Sequence, residues 1–265
     1  MAEKQPLEEL RKTIAYQNFR AQLLAHYQFA TRFFSPSPGE KWLTYWFMDF
    51  SEQDFKEFAK QMINWAFQLP IQKVQYYTKP LDYEKSGFIN VEIEQGLRLS
   101  EEMKELYSVL QTNHIATYIV TASPEILVES ICYYLGVPTS QVFGMRVTKD
   151  TVGNLSPAIE KNWYITKGIG KVHVIKNEIA PLHKGKMPVL VFGDSQGDYE
   201  MLSQILAPSL SVLINRNEQN IVKNLIVQAE QEYNQSTAKI VVQGRDENKA
   251  SFHPSTQSLL LKETE

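Results

Sequence analysis

The chain has 265 residues, a formal net charge of −3, 43% hydrophobic and 22% charged residues, and a single cysteine. This composition is ordinary for a globular protein, and the acidic balance gives no basic footprint for a nucleic-acid-binding protein. One cysteine excludes a disulfide within the chain, no apolar run approaches the roughly 20 residues of a membrane span, and the charged N-terminus lacks the apolar core of a signal peptide. We expect a cytoplasmic protein, or an exported one if a signal peptide preceded this sequence.

The first third of the chain predicts helices rich in aromatic residues. Residues 6–34 carry Leu, Ala, Gln, Phe and Tyr at helical spacing, and the Ser-Pro-Ser-Pro-Gly run at 35–39 interrupts them. Residues 42–69 are aromatic and amphipathic, which favours helices around a pocket, and residues 70–96 predict a hairpin or an irregular segment. The predicted division is a helical lead-in (1–34), a cap (35–95), a core (96–235) and a C-terminal strand and tail (236–265).

From residue 97 onward the pattern alternates between helices and strands. Strands are predicted at 115–120, 142–147, 189–192 and 210–214, with helices at 99–110, 124–135, from 171, 198–205 and 219–233. Such alternation is typical of a parallel sheet covered by helices on both faces. The predicted fold class is therefore α/β.

The most informative segment is the apolar strand that ends in Gly193-Asp194-Ser195-Gln196-Gly197-Asp198. A parallel sheet delivers such residues to its carboxyl edge, where ligands bind. Because Mg²⁺ takes one or two carboxylates together with waters and phosphate oxygens, Asp194 is a predicted metal ligand. Asp198 opens the next helix, where it would complete the metal shell through water, orient Lys171 or cap the helix.

Two further segments predict phosphate binding. Thr121 follows a predicted strand and precedes a helix, so its hydroxyl and the next amides, including that of Ala122, would form an anion site. The alternative for Thr121 is a plain helix cap. Lys171 lies at a predicted helix start in a Gly-Lys-Val sequence, where its ammonium would neutralise a phosphate. Lys167 is the alternative lysine, and a solvated side chain is the alternative for both.

These motifs resemble those of the haloacid dehalogenase (HAD) superfamily, most of whose members are Mg-dependent phosphatases. The likeness extends toward the phosphoserine and phosphorylcholine phosphatase types through residues 96–106, 118–123 and 242–255. It implies a three-layer Rossmann-like parallel sheet with a helical cap, a Mg²⁺ cofactor held by Asp194 and Asp198, and a small phosphorylated metabolite as the partner. It also implies that Lys171 is catalytic as well as phosphate-binding. Oligomeric state stays open.

The resemblance to phosphorylcholine phosphatases also gives the cap aromatics a role. A ring face attracts a quaternary ammonium group, so Trp42, Tyr45 and Trp46 are predicted to face the cleft. The alternative is that these rings form the core of the cap itself.

The family's nucleophile is the feature that this sequence lacks. HAD phosphatases carry it in an Asp-x-Asp sequence on the first, central strand, and the 265 residues contain no Asp-x-Asp. Asp49 is the best stand-in, but Ser51 occupies the place of the second acid. The sheet is therefore predicted to lack its first central strand. Two interpretations remain: a Mg-dependent phosphomonoester hydrolase by descent that is inactive as given, or a non-catalytic phosphate-binding pseudo-phosphatase or fragment.

Overall fold

The computed structural model describes residues 6–33, 43–80, 88–205 and 209–262. The chain begins with helices α1 (Leu7–Lys12) and α2 (Ile14–Phe33), and a 3₁₀ turn (Leu43–Phe47) leads to α3 (Glu52–Gln68). Ser51 starts α3, because its hydroxyl accepts a hydrogen bond from the Asp54 amide.

A hairpin follows α3, in the segment where a hairpin or irregular structure was predicted. Strand β1 (Gln72–Tyr77) pairs antiparallel with β2 (Asn90–Gln95), and α2 packs against both strands. At the end of β2, Arg98 donates hydrogen bonds to the carbonyls of Phe67 and Leu69. The hairpin is thereby held to the C-terminal end of α3.

The remaining residues alternate between strands and helices, as predicted. In chain order the elements are α4 (Glu101–Thr112), β3 (Ile119–Pro124), α5 (Glu125–Cys132), β4 (Val142–Met145), β5 (Val147–Lys149), β6 (Leu155–Ile159), α6 (Ile169–Val174), α7 (Ala180–Leu182), β7 (Leu190–Gly193), α8 (Tyr199–Gln204), β8 (Leu210–Ile214), α9 (Lys223–Gln231), β9 (Ile240–Asp246) and β10 (Ser251–His253). A π-helical turn (Ile175–Ile179) joins α6 to α7. None of the helices in the described ranges is long and apolar enough to cross a membrane.

The main sheet has the order β10-β9-β8-β7, with β7, β8 and β9 parallel and β10 antiparallel at the edge. A second parallel pair is formed by β3 and β4, and β5 and β6 form an antiparallel hairpin. The predicted α/β fold with parallel strands is confirmed.

The two parallel groups share one hydrophobic core. Phe143 from β4 belongs to the same buried cluster as Val191 from β7 and Leu213 from β8, and Val120 from β3 packs against it. Among the described residues, β3 pairs with β4 alone and β7 with β8 alone. Within the described residues, β3 and β7 therefore each keep one edge without a strand partner.

One predicted strand is displaced. The sequence favoured residues 115–120, whereas β3 spans Ile119–Pro124. His114 has a φ of 57°, and the Ile115 amide donates to the Leu110 carbonyl, so this part of the apolar run closes α4 instead of joining the sheet. Thr121 consequently lies inside β3 and not directly after a strand, which corrects its predicted local setting.

Candidate functional site

The acidic loop after β7 folds around the carboxylate of Asp198. Its Oδ2 accepts hydrogen bonds from the Asp194 amide at 3.1 Å, the Ser195 amide at 3.2 Å and the Ser195 hydroxyl at 3.0 Å. Gly193 permits this arrangement, because a Cβ at that position would lie 2.5 Å from the Asp198 Cβ. The glycine that ends the strand is thus required by a close approach of the loop.

The side chain of Lys171, which lies on α6, reaches the same acidic loop. The Gly168 amide donates to the Gly197 carbonyl at 2.8 Å, which holds the start of α6 against the acidic loop. Gly170 has no room for a side chain, since a Cβ would lie 1.7 Å from the Ile165 carbonyl oxygen. With the helix so placed, the Lys171 Nζ lies 2.6 Å from the Asp198 Oδ1.

The Lys171–Asp198 pair is buried, with 11% and 7% of the two side chains exposed. Burial raises the pKa of Asp198, but the charge of Lys171 and the hydrogen bonds from Lys171, Asp194 and Ser195 outweigh it, and the net pKa is lowered. Asp198 therefore stays ionised. The structure shows an ion pair with Lys171 and a capping box with Ser195, and the functional roles predicted for Asp198 stay predictions.

Asp194 is the more accessible acid, with 42% of its side chain exposed. Burial raises its pKa and the neighbouring Asp198 adds to this, while Arg216, Arg245 and Lys171 act in the opposite direction, and the net pKa is raised. The guanidinium nitrogens of Arg216 and Arg245 lie 3.7 and 3.9 Å from its Oδ2. Asp194 thus carries a charge that the surrounding protein only partly compensates.

Neither arginine was predicted from the sequence. Arg216 lies two residues after β8, and Asp194 lies directly after β7. The position of Arg216 near the carboxyl edge was therefore a signal that could have been used. Arg245 lies on β9, the third parallel strand, and its guanidinium also hydrogen-bonds Glu247 at 2.6 Å.

A cavity of about 540 Å³ opens above these residues. Lys171, Asp194 and Asp198 line it together with the end of the hairpin and with β9 and β10, which contribute Glu94, Gly96, Leu97, Arg98, Arg245 and Phe252 among others. Its volume lies within the range of sites for small molecules. Three of the predicted site residues therefore share one cavity at the carboxyl edge of the sheet.

Thr121 is not among the residues that line this cavity. Its hydroxyl accepts from the Ser123 amide at 3.1 Å, and its carbonyl accepts from the hydroxyl of Thr166, which is fully buried. Thr121 is thus connected through Thr166 to the segment that leads into α6. The phosphate-binding roles of Thr121 and Ala122 stay predictions.

The described members of the predicted cap aromatics are not among the residues that line the cavity. Trp42 falls outside the described residues; Tyr45 is 52% exposed, and the Trp46 ring makes an edge contact with Tyr27 at 6.0 Å. Neither Tyr45 nor Trp46 lines the cavity, so their contact with an ammonium group stays a prediction. Asp49 has a φ of 68°, and its amide donates to the Leu155 carbonyl of β6, so it sits in a cap turn away from the cavity lining.

The donor set allows only a sparse metal site. Within the described ranges, no three or more His, Cys, Asp or Glu side chains are grouped so that they could hold a metal ion. Both oxygens of Asp198 are engaged by Lys171 and the loop, which leaves Asp194 as the acid of this loop that faces the cavity, while Glu94, Asp246 and Glu247 also line it. A magnesium ion can be held by one carboxylate when waters and ligand oxygens complete its shell. Asp194 could be that one carboxylate, although the guanidinium groups of Arg216 and Arg245 lie within 4 Å of it and would compete with a metal ion.

A family model of haloacid dehalogenase-like hydrolases matches residues 12–203, well over half of the chain. The chain belongs to this family. The HAD motifs that suggested the resemblance, around Lys171, Asp194 and Asp198, lie within the matched range.

Two solved structures resemble this HAD domain. A conserved, functionally unknown protein from Anaerococcus prevotii DSM 20548 has a TM-score of 0.85 and 27% identity, with 96% of this chain and 66% of that chain covered. This chain thus corresponds to about two thirds of that protein. A phosphoserine phosphohydrolase-like protein from Francisella tularensis subsp. tularensis SCHU S4 is far more distant, with a TM-score of 0.37, 15% identity, and 48% and 56% coverage. No curated protein matches the sequence.

Proposed function

We propose that the cavity binds the phosphate group of a small phosphorylated molecule, and that this HAD domain is a phosphomonoester hydrolase by descent. The observation that carries the proposal is the buried Lys171–Asp198 pair beside Asp194 at the cavity. A buried ion pair is a poor way to stabilise a fold, so its place in a cleft favours a role in ligand binding.

Each residue has a distinct task in this proposal. The Lys171 ammonium, held in position by Asp198, neutralises charge on the phosphate. Asp194 would hold Mg²⁺, which would offset further phosphate charge, with the ligand and waters supplying its other oxygens. Thr121 and Ala122 would offer a hydroxyl and an amide to the phosphate if β3 approaches the ligand more closely when it binds.

Hydrolysis needs one more group. In this mechanism an aspartate oxygen attacks phosphorus, the ester oxygen leaves with a proton, and water then hydrolyses the aspartyl-phosphate. The 265 residues contain no Asp-x-Asp, and Asp49 lies in the cap turn. We propose that the chain as given binds phosphate without appreciable turnover. A carboxylate on a strand paired with the edges of β3 and β7 that are unpaired among the described residues would complete the site.

The non-catalytic interpretation is favoured for the same reason. A pseudo-phosphatase keeps the residues that hold the ligand and lacks the attacking group, as the Lys171, Asp194 and Asp198 constellation does in this sequence. The ligand class stays that of small phosphomonoesters. Phosphocholine is one candidate by family resemblance, although neither Tyr45 nor Trp46 lines the cavity.

Binding is tested by calorimetric titration of inorganic phosphate and phosphocholine, with and without Mg²⁺. Lys171→Met should abolish phosphate binding, whereas Lys167→Met, which removes the alternative lysine in the same segment, should leave it within about threefold. Asp194→Asn should remove the Mg²⁺ requirement or the binding itself. Equal losses for the two lysine variants would contradict the proposed site.

Catalysis is tested separately with p-nitrophenyl phosphate. We expect no Mg-dependent hydrolysis, because loss of a nucleophile removes several orders of magnitude of rate. Robust turnover that Asp49→Asn abolishes would instead make Asp49 the nucleophile. If phosphocholine and choline bind no better than phosphate and chloride, the choline assignment is wrong while phosphate binding still stands.

A further inference from the structure

The cavity that holds the proposed phosphate site also has apolar residues in its lining. Lys171, Asp194 and Asp198 share it with five apolar side chains from other elements, which are termed the apolar lining: Ile71, Leu97, Met103, Phe252 and Leu261. Each of the five is half-buried, and none is among the residues that form or pack against the three hydrophobic clusters of the described chain. Part of their apolar surface is therefore left to face the cavity.

Two members of the apolar lining meet at the base of the β1–β2 hairpin. Gly96 has a φ of 88°, and a Cβ at this position would lie 2.6 Å from the Pro70 carbonyl oxygen. The two ends of the hairpin therefore touch without a side chain between them. Ile71 and Leu97 follow directly on these two residues, so they are neighbours in the lining.

Hydrogen bonds bring the other three members to the same cavity. The Phe252 amide donates to the Glu102 carboxylate at 2.9 Å, which holds β10 beside the start of α4, where Met103 lies. The Leu261 amide donates to the Glu247 carboxylate at 3.1 Å, which holds the segment after β10 beside the end of β9. The apolar lining is thus assembled from four parts of the chain by defined contacts.

Most charged groups in the same lining are engaged within the protein. Glu247 accepts hydrogen bonds on both carboxylate oxygens, and Asp246 accepts them from the backbone and side chain of Asn248. Arg98 donates to three backbone carbonyls. Glu94 is exposed, and the strand register places it directly opposite a lysine of β1. Among the described lining residues, apolar surface is therefore the main contact offered beside the phosphate site.

The cavity is larger than a phosphate group. One molecule of liquid water takes about 30 Å³, so the four oxygens of a phosphate fill on the order of 120 Å³ of the 540 Å³ cavity. An apolar cavity of about 150 Å³ is enough to bind benzene. The remaining volume therefore accepts an organic group of at least one ring.

We propose that the ligand is a phosphomonoester whose organic part is apolar and uncharged, an aryl or short alkyl group that lies against the apolar lining. This inference rests on the proposed function and adds the class of the organic part. A small number of placed polar groups beside a larger apolar surface is the usual composition of a small-molecule site. The phosphate end is held by Lys171 and Asp194, and the organic end gains affinity from burial alone.

The first test compares methyl phosphate with butyl phosphate by calorimetric titration of the whole chain at pH 7 with Mg²⁺. The two esters carry the same charge and differ by three methylene groups. Complete burial of one methylene strengthens binding about fourfold, so butyl phosphate should bind at least about tenfold more tightly. The heat-capacity change of binding should also be more negative for butyl phosphate, which is the signature of apolar burial.

Variants of the apolar lining should reduce this preference. Leu261→Ala and Met103→Ala should each lower the ratio of butyl to methyl affinity at least about threefold, and should leave methyl phosphate binding within about twofold. Leu260→Ala is the matched control, because it removes the same side chain from a neighbour that is 53% exposed and does not line the cavity. The control should change neither affinity. The two test variants lie on separate elements, so if one does not unfold cooperatively in urea the other still decides.

A second comparison tests the charge of the organic part. The ester 3,3-dimethylbutyl phosphate has the shape of phosphocholine without its positive charge. It should bind at least as tightly as phosphocholine, because an ammonium group would lose its hydration against apolar side chains. Tighter binding of phosphocholine would overturn the proposal.

The remaining outcomes separate this inference from the proposed function. Equal affinities for methyl and butyl phosphate, both lost in Lys171→Met, would overturn the apolar ligand class and leave the phosphate site standing. A butyl preference that is unchanged in both Leu261→Ala and Met103→Ala would also overturn it. If neither methyl phosphate nor inorganic phosphate binds, the proposed function is wrong, and the inference is wrong with it.

Discussion

Replacing Lys171 with methionine tests whether the pair with Asp198 is as buried as the structure indicates. The Nζ–Oδ1 distance is 2.6 Å, and 11% and 7% of the two side chains are exposed. Removing one partner of such a pair leaves a buried charge without compensation, which costs about 3–5 kcal/mol of unfolding free energy. Asp198→Asn should also be destabilising, because it leaves the ammonium buried. The double variant should be more stable than the sum of the two effects predicts, with a coupling of about 0.5–3 kcal/mol.

The assay is urea unfolding at pH 7, analysed by linear extrapolation for the four proteins of the cycle. The pH dependence gives an independent check. The folded pKa of Asp198 is lowered, so its stabilisation is present above the unfolded pKa of about 3.9 and is lost as the pH falls through the folded value. Asp198→Asn should flatten stability between about pH 5 and 3. Single effects below about 1 kcal/mol that simply add would refute the buried pair.

Three further outcomes follow from the site and the core. Gly193→Ala should lower the free energy of unfolding by about 1–3 kcal/mol in the same urea assay, because its Cβ would lie 2.5 Å from the Asp198 Cβ. Gly197→Ala is the control and should be tolerated, because the atom nearest to its Cβ would be 3.5 Å away. Similar losses at both positions would contradict the packing. Asp194→Asn should raise the free energy of unfolding at pH 7. The pKa of Asp194 is raised in the folded state, so the ionised carboxylate destabilises the fold at any pH above that pKa. A loss of stability in the variant would show that the neighbouring arginines outweigh burial. Burial raises the pKa of the Cys132 thiol to about 11 and leaves it 0% exposed, so a thiol reagent at pH 8 should label it only after unfolding; rapid labelling of the native protein would refute this.

The sequence predicted the second half of the chain best, where each apolar run is a buried parallel strand. The predicted strand 210–214 coincides with β8, and 189–192 differs from β7 by one residue. These runs are bounded by glycine, proline or polar residues, which limits where a strand can begin and end. The same strands place Asp194 after β7, so the acidic part of the site was predictable from local pattern alone.

The sequence pattern did not predict features that depend on tertiary contacts, such as the start of β3 and the position of the two arginines. Residues 115–117 are apolar or β-branched, yet Ile115 is 44% exposed and hydrogen-bonds back to Leu110, because β4 pairs with β3 only from Ile119 onward. The approach of Arg216 and Arg245 to Asp194 depends on the order of β7, β8 and β9 in the sheet. Sequence spacing does not report strand order, so these arginines were missed.

Features that oppose stability are concentrated at one end of the sheet. The Lys171–Asp198 pair is buried, ionised Asp194 has a raised pKa, and β7 has an unpaired edge within the described residues. Elsewhere in the core, buried hydrophobic side chains of α6, α8 and the sheet pack together, and the buried Ser211 hydroxyl donates to the Leu202 carbonyl. Local departures from a stable arrangement are expected at sites constrained by function. A phosphate and a cation that compensate these charges should stabilise the fold, by about 2.7 kcal/mol when the ligand is at 100 times its Kd. If phosphate binds as proposed, the unfolding free energy of the chain should rise with occupancy of the cavity.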